Sequence, residues 1–353
     1  MRPEALKVLR TGTVIPAFPL TLTEDGSFDE RRQRALIRYY LDAGVGGLAV
    51  AVHTTQFAIR DPKIGLFRPI LRIAKEETDR FEARTGKTIL RVAGCCGPTA
   101  QAVSEAEFAR SEGYDAVLLS AGGLADWSID QLISRTAEVG EIMPVVGFYL
   151  QPSVGGRVLP FEYWQKLCEL KSVVAIKAAP FNRYQTLDVV RAVAMSSRPD
   201  EVTLYTGNDD NIVLDLLTKY RFMKEDGTVV EKGFDGGLLG HWSMWTKTVV
   251  DMFGMLRAAA ASEEIPTSLL TLGIEITDCN AAFFDAANQF AGCIPGVHEV
   301  LRRQGLMTCT RCLNPDEVLS PGQADEITRV YRMYPHLNDD KFVREHLESW
   351  LAD

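Results

Sequence analysis

Apolar runs of strand length recur along this chain, and amphipathic stretches fill the gaps between them. Runs without polar interruption mark strands buried on both faces, as in a parallel sheet. They fall at 13–18, 47–52, 88–94, 115–120, 145–150, 173–180, 202–206 and 236–240. The intervening stretches carry helical periodicity. The first is opened by a capping box from Ser27 to Glu30 and closed by Gly44. Others are expected at 62–84, 98–112, 128–142, 160–171, 184–195 and 211–220. Eight β-α units in about 250 residues predict an α/β fold, a (β/α)8 TIM barrel over residues 1–250. The competing arrangement, a doubly wound sheet, often carries a glycine-rich phosphate turn after its first strand, and none is present here. Asp226-Gly227 signals a hairpin turn within a polar surface insertion near 222–232. From about residue 245 the strand signal stops. Helices are expected at 249–261, 266–289, 295–303, 323–334 and 341–351, so 251–353 forms a C-terminal helical region. Such a region packs against the barrel or against another subunit.

Composition narrows the class. The 353 residues are 46% hydrophobic and 24% charged, which suits a soluble globular protein. The net charge of -9 argues against a nucleic-acid or anionic-membrane partner. No run approaches membrane-spanning length, and residues 1–11 lack the apolar core of a signal peptide, so a cytoplasmic location is expected. Seven cysteines, an odd count, do not suggest a disulfide framework. Cys309 and Cys312 form a lone CxxC with no second pair at zinc-ribbon spacing, and they read as reduced structural thiols. The five histidines are scattered and make no HxH or HExxH pattern, so no metal site is proposed.

One residue stands out against the apolar pattern. Lys177 lies near the carboxyl end of the 173–180 run. Lysine is almost never fully buried without a partner. Burial lowers the pKa and leaves a nucleophilic amine, which is what Schiff-base chemistry on a carbonyl requires. The plain alternative is a buried stem with its head in solvent. In barrels the active site lies at the carboxyl ends of the strands. Residues expected there are His53, Thr54, Thr55 and Gln56, then Tyr149, Lys177, Asn208, Asp209, Asp210 and His241. Lysine, tyrosine and a hydroxyl pair on one mouth suit imine chemistry, with the tyrosine moving protons and the hydroxyls holding a carboxylate. Each has a structural reading too. Tyr149 suits a core aromatic, Thr54-Thr55 a β-branched strand end, and Asp209-Asp210 a helix cap.

These residues resemble the dihydrodipicolinate synthase and N-acetylneuraminate lyase family of class I pyruvate aldolases. Thr54-Thr55 stands where that family has a Gly-Thr-Thr-Gly-Glu loop, and Phe148-Tyr149-Leu150-Gln151-Pro152 where it has Tyr-Asn-x-Pro. Val174-Ala175-Ile176-Lys177 matches its Gly-Ile-Lys, and the gap of 28 residues from Tyr149 to Lys177 fits. Gly207-Asn208-Asp209 resembles its Gly-Asp-Asp segment, and Gly237-Leu238-Leu239 its Gly-Val-Ile-Ser strand. The resemblance implies Lys177 as Schiff-base lysine and Tyr149 as proton-transfer tyrosine. It implies Thr54 and Thr55 as carboxylate binders; His53 and Gln56, beside them in the loop, are expected to face the substrate, and Gly207 and Leu239 are further expected substrate-binding positions. It implies a homo-oligomer, a tetramer or dimer, with no metal or organic cofactor. The departures are His53 for the loop's first glycine, Gln56-Phe57 for its Gly-Glu, and Ala121-Gly122-Gly123 where dihydrodipicolinate synthases have Pro-Tyr-Tyr. Val154 stands five residues after Tyr149, where those enzymes have an arginine; Arg157 is out of register. The expected activity is therefore a lyase acting on a 2-keto acid, by aldol cleavage or condensation with pyruvate or by dehydration of a 2-keto-3-deoxy sugar acid. A barrel isomerase using the lysine as general base, and a non-catalytic keto-acid binder, are the other two readings.

Overall fold

A computed structural model describes residues 1–352. Eight parallel strands form the barrel. They are β1 (Val14–Pro16), β2 (Gly47–Val50), β3 (Leu90–Cys95), β4 (Ala116–Ser120), β5 (Val145–Leu150), β6 (Val173–Ala179), β7 (Thr203–Thr206) and, after the hairpin of β8 (Tyr220–Met223) and β9 (Val229–Lys232), β10 (Gly236–Leu239). The hydrogen-bonded order runs β1-β10-β7-β6-β5-β4-β3-β2, and a parallel bridge from Ala17 to Ala49 closes the ring. Helices lie between successive strands, so the arrangement is a (β/α)8 TIM barrel.

Every residue of β4 and β5 is buried, which accounts for their continuous apolar sequence. Alternation decides which side each residue serves. Ala116 and Leu118 fill the lumen with Val146, Phe148, Leu150, Ala175 and Ala179. Val117, Leu119, Val145, Tyr149 and Ile176 pack into the helical layer.

The first long helix, Glu30–Ala43, differs from expectation at its start. Asp29, not Ser27, is the cap, and its carboxylate accepts from the Arg32 N–H at 3.0 Å. A helix at Pro3–Thr11 was not foreseen. It closes the lower end of the barrel with Ala5 and Leu9 against the lumen, and the Tyr205 hydroxyl donates to the Leu9 carbonyl at 2.9 Å.

The C-terminal region contributes helices Thr246–Ala260, Ser268–Phe283, Cys293–Arg303, Gln323–Met333 and Asp340–Leu351. The last of these returns to helix Glu30–Ala43. Trp350 Nε1 donates to Asp42 at 2.8 Å, and the Tyr39 hydroxyl donates to buried Asp339 at 2.7 Å. Among the described residues, no helix is long and apolar enough to cross a membrane.

Candidate functional site

A cleft at the carboxyl ends of the strands has a cavity volume of about 60 Å³. Lys177, Asp209, Thr54, His53, Gly207 and Phe148 line it, with Phe181, Phe284, Phe290 and Cys293 from the surrounding loops. Lys177 sits at the lumen end of β6, 7% exposed, with Nζ 4.4 Å from the centre of the Phe148 ring. Burial pushes its pKa down, and the only opposing influence is the charge of Asp209. Among the described residues, none makes a hydrogen bond to the amine.

Gly207 follows β7 directly. A Cβ there would lie 2.5 Å from Lys177 Cε and 2.7 Å from Ala179 Cβ, so only glycine leaves room for the lysine stem. Gly207→Ala is expected to displace Nζ and to slow any covalent trapping of a keto acid at Lys177 roughly 10²-fold without unfolding the chain. Single-turnover trapping with pyruvate beside a thermal melt checks this.

Asp209 is the second ionisable group in the cleft. It is 7% exposed, and burial raises its pKa against the opposing effect of N–H donors and of Lys177. Its Oδ1 accepts from the His241 N–H at 2.9 Å. Its backbone is pinned from the C-terminal region, where Asn280 Nδ2 donates to the Asp209 carbonyl at 2.6 Å. Because that amide nitrogen is a donor, Asn280 Oδ1 must accept from His241 Nδ1–H at 2.6 Å. His241 therefore carries a proton on Nδ1, and burial, against the opposing effect of the Asn280 bond, lowers its pKa to about 4 and favours the neutral ring.

The neighbouring Asn208 is spoken for structurally. Its side chain accepts from Phe181 N–H and donates to Thr186 and to buried Asp215. Arg183 ion-pairs with that same Asp215, so the loop carrying Asp209 stands on a closed polar network.

The remaining sequence-derived residues divide. Residues 53–55 form a 3₁₀ turn that presents His53 and Thr54 to the cleft. His53 is held neutral there, its pKa lowered to about 4 by burial and then by Lys177. Thr55 turns the other way. It is fully buried, donates to the Phe18 carbonyl and accepts from the Val52 N–H at 3.2 Å, and so shapes the turn. Gln56, expected to face substrate, instead accepts from Leu313 N–H at 2.6 Å and ties the turn to the C-terminal region. Leu239 lies in the helical-layer core rather than the cleft, which Gly240 lines in its place.

Tyr149 is the largest correction. It points out of the barrel, stacks on Trp164 at 5.1 Å, and its hydroxyl accepts from the Leu159 N–H at 3.3 Å. Burial raises its pKa. The residue beside Lys177 in register is Phe148. The register shifts where Val145 pairs with Val173 and Val146 with Ala175, so the extra residue lies in β6, while β5 alternates without a break. Gly147 carried the signal that could have shown this. Its Cβ would meet Leu167 of the helical layer at 2.7 Å, so Gly147 faces outward and Phe148 inward. Tyr149→Phe should therefore leave imine formation and turnover within about twofold. It should cost about 1–2 kcal/mol of stability, from the Leu159 N–H left without a partner. Steady-state rates and urea unfolding test both parts.

Comparison with known proteins places this geometry. Residues 10–219 match the profile of the Dihydrodipicolinate synthetase family. A probable 5-dehydro-4-deoxyglucarate dehydratase 2 of Streptomyces coelicolor is 28% identical over 211 residues, which is 58% of this chain and 60% of that protein. A 4-hydroxy-tetrahydrodipicolinate synthase of Clostridium novyi is 24% identical over 198 residues, 55% of this chain and 62% of its own length. The chain thus spans about three fifths of the curated relatives that it matches. Among solved structures, YagE, a prophage protein of the dihydrodipicolinic acid synthase family from E. coli K12 in complex with pyruvate, superposes with a TM-score of 0.73 at 18% identity, covering 94% of this chain and 99% of that one. N-acetylneuraminate lyase from Fusobacterium nucleatum gives 0.70 at 15% identity, over 92% and 99%. At these identities the structural likeness concerns the fold.

Proposed function

This chain belongs to the dihydrodipicolinate synthetase family, and we propose that it is a lyase that forms a Schiff base between Lys177 and a 2-keto acid. The observation that carries the reading is a buried amine with a depressed pKa, sharing one cleft with a carboxyl group whose pKa is raised. Groups tuned in opposite directions by one environment are suited to acid-base work on a bound intermediate.

The neutral amine attacks the keto carbon, and the carbinolamine loses water to give a cationic imine. The Thr54 hydroxyl, which lines the cleft and donates to the Phe18 carbonyl at 3.3 Å, would turn to hold the keto acid's carboxylate. In cleavage, Asp209 removes the proton of the 4-hydroxyl. The C3–C4 bond breaks, its electrons pass to the imine nitrogen, and an aldehyde leaves. The resulting enamine takes a proton at C3, and water returns the keto acid and the free amine. Dehydration would use the same imine, with C3 losing a proton and the neighbouring hydroxyl leaving as water. Asp209 takes the proton-transfer role that the resemblance gave to a tyrosine, because Phe148 occupies the position beside Lys177.

A panel of 2-keto acids tests the activity, with pyruvate or product followed in time. Borohydride added together with a substrate keto acid should abolish turnover, and borohydride alone should not. Turnover untouched by borohydride plus keto acid would instead support the general-base isomerase reading.

The assembly proposed is a homo-oligomer. Leu270 and Ile274, 50% and 69% exposed on helix Ser268–Phe283, give the chain an uncovered apolar strip that supports it. Light scattering at micromolar concentration decides between monomer and oligomer.

A further inference from the structure

The walls of the cleft above Lys177 are apolar and aromatic. Leu150, Val154, Phe181, Phe284 and Phe290 surround the space that the rest of a substrate would occupy. Arg157, three residues after Val154, is turned away, with Nη1 donating to the Leu124 and Trp127 carbonyls at 2.6 and 2.9 Å, and Arg183, two after Phe181, is paired with Asp215. His53 is neutral, and Lys177 is committed to the keto carbon. A second carboxylate in this space would be desolvated without a partner. A polyhydroxylated chain would find few groups to bond beyond Gln151, His53 and Asp209.

Two rings at the mouth are held there by unusual backbone. Phe181 has φ +52 and Phe290 has φ +68, both in the left-handed region that bulky residues avoid. They come from distant segments and meet edge to face, ring centres 5.6 Å apart. Each conformation is fixed locally. Phe181 N–H donates to Asn208 at 3.1 Å, and Phe290 N–H donates to the Asp285 carbonyl at 3.0 Å. Strain maintained at two points to bring two aromatic faces over one cleft calls for a functional reason.

We infer that the carbonyl partner of this site carries an apolar, aryl-sized group, not a second carboxylate or a polyol chain. This rests on the Schiff-base reading. In the condensing direction, pyruvate bound as imine loses a methyl proton to Asp209. The enamine carbon bonds to the aldehyde carbon, and the aldehyde oxygen takes that proton. Hydrolysis of the imine takes up one water, equal to that released on its formation, and frees Lys177 and a 4-aryl-4-hydroxy-2-keto acid. The reverse reaction cleaves that acid to pyruvate and the aryl aldehyde. An aryl ring laid against the Phe181–Phe290 pair gains an offset or edge contact.

The test is condensation by the full chain of pyruvate with benzaldehyde, with succinic semialdehyde and with glyceraldehyde, alongside borohydride inactivation by pyruvate alone. The expected result is inactivation by pyruvate and borohydride, and a kcat/KM for benzaldehyde at least about 10-fold above either other aldehyde. Inactivation with succinic semialdehyde or glyceraldehyde equal or preferred, or with benzaldehyde not turned over, overturns this inference and leaves the Schiff base standing. Absence of inactivation overturns the Schiff-base reading on which it rests.

Discussion

Lys177→Ala is expected to lose roughly 10⁴-fold or more in kcat/KM, with no covalent trapping of any keto acid, while folding normally. The loss follows from chemistry that no neighbour can replace, since the cleft holds no second amine. Retained folding follows from what the substitution leaves behind. Alanine removes a group whose protonated form is disfavoured by burial. The sign can be worked out. The folded chain prefers the neutral amine, so the unfolded chain binds more protons between the depressed native value and the ordinary 10.5. Stability gained from neutralising Lys177 rises with pH through that interval, and the penalty is present in full below it. The variant should thus melt at the same temperature as the parent or higher at neutral pH, with the difference shrinking as pH approaches 10.5. Activity assays beside calorimetry at two pH values check both halves. A variant that is inactive because it is unfolded would speak against this account of Lys177.

Asp209→Asn separates acid-base work from imine formation. Turnover should fall by about 10²- to 10⁴-fold, the usual contribution of a positioned general acid or base. The fold should survive, because asparagine Oδ1 still accepts from the His241 N–H that Asp209 bonds at 2.9 Å. Pyruvate should still be trapped. The carboxylate is what opposes the downward shift at Lys177, so its removal should move the pH midpoint of trapping lower. Turnover retained within a few-fold would assign the proton transfer elsewhere. A midpoint that moved upward would contradict the electrostatic pairing.

The barrel was legible because each strand is buried on two faces and therefore reads as a continuous apolar run. Lys177 was legible for the same reason, as a charge near the carboxyl end of an otherwise apolar run. What failed was parity. The 28-residue spacing brings Tyr149 near Lys177 along the chain but does not say which face it takes. Unbroken alternation along β5 put Phe148, with Val146 and Leu150, on the inner face instead. Asp209 read as a helix cap because a carboxylate after a strand usually is one. The groups that make it part of the site, His241 and Asn280, lie 32 and 71 residues away, beyond any local pattern. The aromatic wall was hidden more deeply. Phe290 belongs to a segment in which Asp285, Gln289 and Phe290 all adopt left-handed backbone, and a helix extended through 289 was expected there. Helix Pro3–Thr11 was missed because only Ala5 and Leu9 on it are buried, too few to announce a periodicity.

The central claim is that Lys177 is the covalent attachment point for a keto acid. It is tested most directly by incubating the protein with pyruvate and borohydride across a pH series and mapping the modified peptide by mass spectrometry. The account predicts one stoichiometric reduced pyruvyl adduct, on Lys177, formed with a pH midpoint well below the ordinary lysine value of 10.5. No adduct, or adducts spread over exposed lysines with Lys177 unmodified, would contradict it.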